Sequence, residues 1–262
     1  MKNATFFWIV LILASVAAWA IFEYLLPEFI QHGGPLVIVL IVLMILVVTL
    51  VFERILSLSK AAGRGSSVPF LRDVLDRARA GDVQGAIELC EARGGTMAGI
   101  LAAALHRYDA LNAEGIQDRR VAADEVEHAI DEAKTLETPA LERNLTALST
   151  IASIATMVGL LGTTIGMIRS FAALAHAGAP DATQLSLGIS EALINTAGGL
   201  NAAILAIVAY NYFTTKVDGI TQTTEEAGAA LMHALGLRSA AHARTQRHVG
   251  ASATSAPGIV GA

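Results

Sequence analysis

Two long apolar runs of this chain contain side chains that could bind or conduct ions. The runs cover Leu148–Ile168 and Leu187–Phe213, and each is long enough to cross a bilayer, which takes roughly 20 helical residues. Hydroxyls, amides and one carboxylate lie within them: Thr156, Thr163, Thr164, Glu191, Asn195, Thr196 and Asn201. Such groups are costly at membrane depth unless they face protein or water, so the pattern predicts an ion pathway.

The first of these runs has one face made only of glycines and small hydroxyl residues. Its positions recur at steps of three or four residues, the spacing of one helix face: Ser149, Ser153, Thr156, Gly159, Thr163, Gly166 and Ser170. One interpretation is helix packing alone, for which Gly159, Gly162 and Gly166 are well suited. The other is that part of the face lines an aqueous path. Because alanine and glycine would suffice for packing, the hydroxyl content favours the path.

The second run has two faces suited to close packing. One carries Glu191, Asn195, Gly198, Ala202, Ala206 and Ala209, and the neighbouring one carries Ala192, Thr196, Gly199 and Ala203. We interpret them as contacting the preceding span on one side and another subunit on the other. The pattern therefore predicts a ring-shaped homo-oligomer.

Three roles are open for Glu191. It could bind a proton, with its pKa raised by desolvation. It could be the ionised partner of Arg169, which should lie at similar depth on the adjacent helix. It could also accept hydrogen bonds from N–H groups near a helix N-terminus. The sequence does not rank the first two.

Composition and charge predict an all-α membrane protein. Of the 262 residues, 54% are apolar, which is too many for an ordinary soluble domain. Two more apolar blocks, Phe6–Leu26 and Pro35–Val51, bring the predicted spans to four. Lys and Arg follow the second and fourth blocks and are absent from the two short loops. Both termini and residues 54–146 are therefore predicted to be cytoplasmic, although Arg169 fits less well.

The chain divides into five predicted segments. Residues 1–34 are an extra membrane helix, or a signal peptide, with an outer loop; the run continues past the candidate cleavage site, which favours the helix. Next come a membrane helix (35–60), a cytoplasmic helical domain (61–146), the channel-forming helix pair (147–216), and a cytoplasmic helix with a disordered tail (217–262). Within the domain we predict helices at 68–80, 83–93 with Asp82 as N-cap, and 97–111. A last helix should run from Arg119 directly into the third span, and Pro139 could kink it.

Several function classes receive no support from the sequence. It contains no metal-ligand spacing of His and Cys, no glycine-rich phosphate loop and no nucleophile–base arrangement, so no enzyme, metal or cofactor is predicted. The net charge is −5 and the basic residues are scattered, which argues against nucleic-acid binding. The single cysteine, Cys90, is expected to be a half-buried reduced thiol.

Two stretches resemble the MotA/TolQ/ExbB proton channel family, in its ExbB/TolQ branch. The first contains Leu141–Leu145, Ile151-Ala152-Ser153 and Gly159–Thr163; the second contains Ile189–Ala197, Gly199-Leu200 and Ala209–Tyr212. The resemblance implies a pentameric ring in the bacterial inner membrane around ExbD- or TolR-like single-span partners, coupled to a TonB- or TolA-like transducer. It also implies that protonmotive force drives movement. Thr163 and Thr196 match the family's pore threonines, and Glu191 matches its membrane carboxylate.

Two departures and two alternatives accompany the resemblance. The family usually has proline where this chain has Thr156 and Leu205, so these helices should be straighter. One alternative is a MotA-like subunit of a flagellar stator, although the short cytoplasmic domain and the motif at 189–196 favour the ExbB/TolQ branch. The other is a passive membrane scaffold whose polar residues only pack helices.

Overall fold

A computed structural model describes residues 2–116, 118–176 and 182–237, and every regular element among them is a helix. The predicted all-α fold is confirmed. The helices are α1 (Lys2–Tyr24), α2 (Glu28–Gln31), α3 (Pro35–Ala61), α4 (Ser67–Ala80), α5 (Val83–Arg93), α6 (Thr96–Ala113), α7 (Arg119–Glu142), α8 (Leu145–His176) and α9 (Ala182–Ala234). The chain forms two compact units: Met1–Leu56 with Glu142–Thr215, and Ser57–Leu141 with Lys216–Ala262. The tail predicted to be disordered, from Ser239 on, lies outside the described residues.

Three segments among the described residues are long and apolar enough to cross a membrane. They are α3, the segment Arg119–Ala173 that contains most of α8, and α9. In α1, the described apolar stretch Ile12–Tyr24 is shorter than a span. That α1 crosses the membrane stays a prediction.

The predicted continuous helix from Arg119 into the third span is wrong. Pro139 lies inside α7, which continues to Glu142, and the helical backbone is interrupted at Arg143 and Asn144. Asn144 has a φ of 62°, a left-handed conformation that asparagine tolerates better than most residues. Its amide also donates to Oε2 of Glu53 at 3.0 Å. The asparagine, not the proline, therefore separates α7 from α8.

In the first unit, α3, α8 and α9 pack around a small apolar core. It consists of Leu40, Leu43, Ala155, Ala202 and Ala203. The three alanines are almost fully buried, because small side chains let helices approach closely where lipid gives no hydrophobic drive for association. Bulky apolar side chains on the outer faces stay exposed, among them Met157, Ile168, Leu193, Ile204 and Val208.

The second unit has a conventional helical core. Side chains from α4, α5, α6, α7 and the last part of α9 enclose Leu101, Leu105, Val126 and Leu231. The predicted N-cap of α5 is confirmed, since the Asp82 side chain accepts the N–H of Gly85 at 3.0 Å. Such a cap satisfies one of the unpaired donors at a helix start.

A buried arginine organises the segment before α4. Arg93 donates to the carbonyl oxygens of Arg64 and Ala62 and to Oγ of Ser67, at 3.0 to 3.3 Å. Its guanidinium lies 4.3 Å from the centre of the Phe70 ring, a distance at which a cation is attracted to the aromatic face. Burial lowers the pKa of Arg93 from its usual value. The predicted linker is thus held against α5.

Candidate ion-pathway site

The contact between α8 and α9 is built on glycine. A β-carbon added at Gly199 would lie 2.6 Å from the carbonyl oxygen of Ala155 and 2.7 Å from Cα of Gly159. Real β-carbons do not approach other atoms so closely, so the two backbones touch here. The contact fixes which residues of the two antiparallel helices share a depth.

Two more glycines of α8 continue this contact toward its C-terminal end. A β-carbon at Gly166 would lie 2.7 Å from the carbonyl oxygen of Gly188 and 2.8 Å from N of Ala192. At Gly162 the added atom would overlap the side chain of Asn195. Glycine at 162 therefore makes room for a polar side chain as well as for a helix.

Asn195 is completely buried between the helices. Its Nδ2 donates to the carbonyl oxygen of Gly33 at 2.8 Å and to that of Glu191 at 3.0 Å. Its Oδ1 accepts no hydrogen bond from the residues that the structure describes. The amide thus ties α9 to the turn before α3.

Glu191 and Arg169 form an ion pair at the same end of the helices. Nη1 of Arg169 lies 2.5 Å from Oε1 of Glu191. The side chain of Glu191 is only 10% exposed, whereas that of Arg169 is 54% exposed. The carboxylate also lies against Gly34, where an added β-carbon would be 2.7 Å from Oε1. Gly34 directly precedes α3, so Glu191 contacts both an arginine and the start of a helix.

The threonine hydroxyls bind backbone carbonyls. Thr196 donates across the helix contact to Gly159, and to Ala192 of its own helix, each at 3.2 Å. Thr163 donates to Leu160 at 2.6 Å, and Thr164 donates to Leu161 at 2.8 Å, both within α8. The structure therefore brings Glu191, Arg169 and Asn195 together, whereas the hydroxyl of Thr163 bonds to its own helix and to none of these three residues.

The interpretation of the two packing faces of α9 requires a correction. The face of Thr196 and Gly199 meets α8, as expected. The face of Asn195 and Gly198 meets α3 of the same chain, because a β-carbon at Gly198 would lie 3.1 Å from Leu40. This second face is therefore covered within the chain. It gives no evidence for contact with another subunit.

The hydroxyl residues of α8 border an open face. Ser149, Ser153 and Thr164 are exposed, and Thr156 and Thr163 are half-buried. A helix turns about 100° per residue, which puts these five residues on one side of the buried strip of Gly159 and Gly166. Arg169 lies on the other side of that strip, where it pairs with Glu191. The open hydroxyl face and the cluster formed by Glu191, Arg169 and Asn195 (the Glu191 cluster) thus lie on different sides of α8.

Sequence reasoning missed the turn that completes the cluster. Gly33 supplies the acceptor for Asn195, and Gly34, with a φ of 71°, supplies the surface for Glu191. Glycine is favoured there because it adopts positive φ without strain. The sequence Gly33-Gly34-Pro35 is a recognisable turn and helix-start pattern. It could have marked the position, although not its contacts.

The fold and these contacts define a class of protein. It is a multi-pass helical membrane protein with polar side chains where its membrane-spanning helices touch one another and next to those contacts. A family model described as the MotA/TolQ/ExbB proton channel family matches residues 94–226. A putative biopolymer transport protein, ExbB-like 1, from Synechocystis is 34% identical over 190 residues, which cover 71% of this chain and 69% of the relative. The chain belongs to the MotA/TolQ/ExbB proton channel family, and the resemblance to its ExbB/TolQ branch is confirmed.

Other relatives match over shorter stretches. The Tol-Pal system protein TolQ of Haemophilus influenzae is 40% identical over 94 residues, covering 36% of this chain and 41% of TolQ. The biopolymer transport protein ExbB of Pseudomonas putida is 40% identical over 85 residues, covering 32% of this chain and 26% of ExbB. The chain thus spans less than half the length of these two relatives. Family membership and the apolar helices make it a multi-pass inner-membrane protein.

Proposed function

We propose that the chain is the proton-channel and motor subunit of an inner-membrane complex. The complex uses protonmotive force to energise transport or another envelope process, as an ExbB- or TolQ-like protein. The observation that carries the proposal is the open hydroxyl face of α8 in a chain of a proton channel family. The hydroxyls on this face donate to carbonyls of their own helix and leave their acceptor positions open to water or a polar partner, as for Ser153, Thr156, Thr163 and Thr164.

Thr163 and Thr196 are the proposed wetting groups of the path. A hydroxyl has one donor and two acceptor positions. Each of these hydroxyls uses its donor on a backbone carbonyl, which leaves acceptor positions for water. A chain of waters can carry protons through an otherwise apolar passage.

Glu191 and Asn195 are proposed to act on the path from beside its end, because they lie on a different side of α8 from the open hydroxyl face. Glu191 is nearly buried and Asn195 fully buried, and both contact the Gly33–Gly34 turn. Arg169 pairs with the carboxylate and is half-exposed. In this proposal the pair sets the local charge at the path's end, while the threonines hold water deeper in the membrane.

The proposed assembly is a homopentamer around ExbD- or TolR-like single-span partners, coupled to a TonB- or TolA-like transducer. The family resemblance supports it, as do the bulky apolar side chains on the outer faces of α8 and α9. Lys and Arg placement supports cytoplasmic termini. Native mass spectrometry of the mildly solubilised complex tests the assembly, and a monomer as the sole species contradicts it.

Valine substitution tests the path, because valine has nearly the shape of threonine without the hydroxyl. The double variant Thr163→Val/Thr196→Val should assemble and retain the single-span partner in a pull-down. It should lose most protonmotive-force-driven activity, measured by uptake or envelope integrity in cells that depend on this chain.

Thr49→Val is the matched control. Thr49 is a half-buried threonine of α3, and its hydroxyl donates to Ile45 of its own helix at 2.8 Å. Its loss should leave activity unchanged. Normal activity in the double variant would refute the wetting role and support a scaffold in which the threonines only pack.

A further inference from the structure

Asn201 is an exposed amide in the membrane-spanning part of α9. It makes no hydrogen bond to any residue that the structure describes, and its helix neighbours Ala197, Ile204, Leu205 and Val208 are exposed as well. A polar side chain in hydrocarbon without a partner costs free energy. The position therefore calls for a hydrogen-bonding group from outside this chain's described residues.

The direction of Asn201 excludes its own α8 as the partner. Asn201 is two residues beyond Gly199, so it points about 200° away from it around the helix. Gly199 is the residue at which α9 touches α8. Asn201 thus lies on the far side of α9, where Ala197, one turn earlier, leaves room for another helix to approach.

The depth of Asn201 matches a hydroxyl on α8. Gly199 lies level with the stretch between Ala155 and Gly159. The helices are antiparallel, and two further residues of α9 rise about 3 Å. Asn201 is therefore level with the turn from Ser153 to Thr156. Copies embedded in one membrane share this depth.

We propose that Asn201 hydrogen-bonds to the turn around Ser153 of a second copy of this chain. Ser153 is exposed, and its hydroxyl has only a long bond, 3.3 Å, to Ser149 of its own helix. An amide donates and accepts, as does a hydroxyl, so the two groups complement each other. The inference rests on the ring assembly proposed above and adds its subunit interface.

The two partner groups lie on opposite sides of the helix pair. Asn201 faces away from α8, and Ser153 belongs to the open hydroxyl face of α8, on the side away from α9. An interface that joins two different surfaces is heterologous and can repeat from copy to copy until a ring closes. The contact thus fits a cyclic assembly and not a two-fold dimer.

Cysteine cross-linking in membranes tests the contact directly. Two differently tagged chains, one with Ser153→Cys and one with Asn201→Cys, are co-expressed with the single-span partner in a Cys90→Ala background. A short bifunctional maleimide should join the two cysteines and give a product that carries both tags. The matched control replaces Ser153→Cys by Ile154→Cys, which is also exposed but points about 100° further around α8; it should cross-link at least several-fold less.

The mass of the assembly, measured alongside the cross-linking, distinguishes a wrong interface from a wrong assembly. A ring of normal size without the Ser153–Asn201 cross-link overturns the interface and leaves the proposed function standing. A monomer overturns the assembly and the interface together. Cross-linking of Asn201→Cys to the single-span partner in place of a second copy also overturns the interface.

The substitution Asn201→Leu gives a second test, because the two possible surroundings of Asn201 predict different changes in the stability of the ring. If the amide bonds across the interface, leucine should weaken each subunit contact about threefold or more, the range of membrane side-chain hydrogen bonds. Detergent titration followed by native mass spectrometry should then show smaller species at lower detergent. If Asn201 faced lipid, leucine would strengthen the ring or leave it unchanged, and the inference would be wrong.

Discussion

The amide of Asn195 donates to the carbonyl oxygen of Gly33 at 2.8 Å, although 162 residues separate them. This bond joins the turn before α3 to the first third of the membrane-spanning part of α9. Beside it, the ion pair of Arg169 and Glu191 joins α8 to α9. The three spans are thus connected by polar contacts at one end.

Gly162→Ala should destabilise the first unit. The added methyl would overlap the side chain of Asn195, and overpacking of this kind costs about 1–3 kcal/mol. Thermal unfolding in detergent should show a lower midpoint. The matched control is Gly219→Ala in α9, where an added β-carbon meets nothing within 4 Å; it should be neutral or slightly stabilising. Equal effects of the two changes would contradict the packing role of Gly162.

Arg169→Ala and Glu191→Ala should do comparable damage to stability. Each leaves the other charge without its partner, and Glu191 is nearly buried. We expect on the order of 1–3 kcal/mol, between the values for exposed and buried pairs. The double change Arg169→Ala/Glu191→Ala should cost less than the sum, measured by unfolding in detergent.

Activity separates the two open roles of Glu191. If the carboxylate serves only the ion pair, Arg169→Ala and Glu191→Gln should reduce activity to a similar degree. If it carries protons, Glu191→Gln should abolish activity while Arg169→Ala stays mild. Unchanged activity and assembly in both variants would rule out both roles.

Cys90 should be nearly inert to thiol reagents at neutral pH. Burial raises the pKa of its thiol to about 11, and only the thiolate reacts. Ala92→Cys in a Cys90→Ala background is the control, because position 92 of α5 is exposed; it should label at least tenfold faster. Similar labelling rates at both positions would show that Cys90 is accessible.

The same thiol predicts a pH dependence of stability. The folded state keeps the proton up to about pH 11, whereas an unfolded thiol loses it at about pH 8.5. Its contribution is therefore full below about pH 8.5 and is lost as the pH rises toward 11. The unfolding free energy should fall over this window, and Cys90→Ala should flatten the fall. An identical pH profile in the variant would contradict the assignment.

Impermeant labelling tests the predicted topology. Ala182→Cys at the start of α9 should react in spheroplasts, because the loop before it is predicted to face outside. Ala92→Cys should react only after lysis. Both positions are exposed in the structure, so burial does not mask the result as it would at Cys90. The reverse pattern would invert the orientation.

Sequence patterns predicted most of the helices, but they missed one helix boundary and most of the contacts between helices. Apolar length predicted α3, α8 and α9, and the Asp82 cap located α5. The break at Asn144 was missed because it depends on the contact with Glu53, 91 residues away. Periodicity also identified two packing faces on α9 without revealing that one of them meets α3.

In the candidate site, too, some contacts could be predicted from the sequence and others could not. Arg169 and Glu191 could be paired from the sequence because they lie near facing ends of consecutive helices. The bond from Asn195 to Gly33 depends on how three helices pack together, which local spacing does not determine. The outward direction of Asn201 follows from the same packing.

Polar contacts join the spans at both ends: all three spans at one end, and α3 with the start of α8 at the other. Near Gly33 they are joined by Asn195 and by the pair of Arg169 and Glu191, and at the opposite end Asn144 holds Glu53 of α3. Between these two ends, close contacts at glycines hold α9 against α8 and α3. Sliding or rotating one span past another would therefore break several contacts at once. We therefore expect α3, α8 and α9 of one chain to move together as a single rigid body. In the ring proposed above, motion driven by the proton gradient would then occur between neighbouring subunits, or between the ring and the single-span partners proposed inside it.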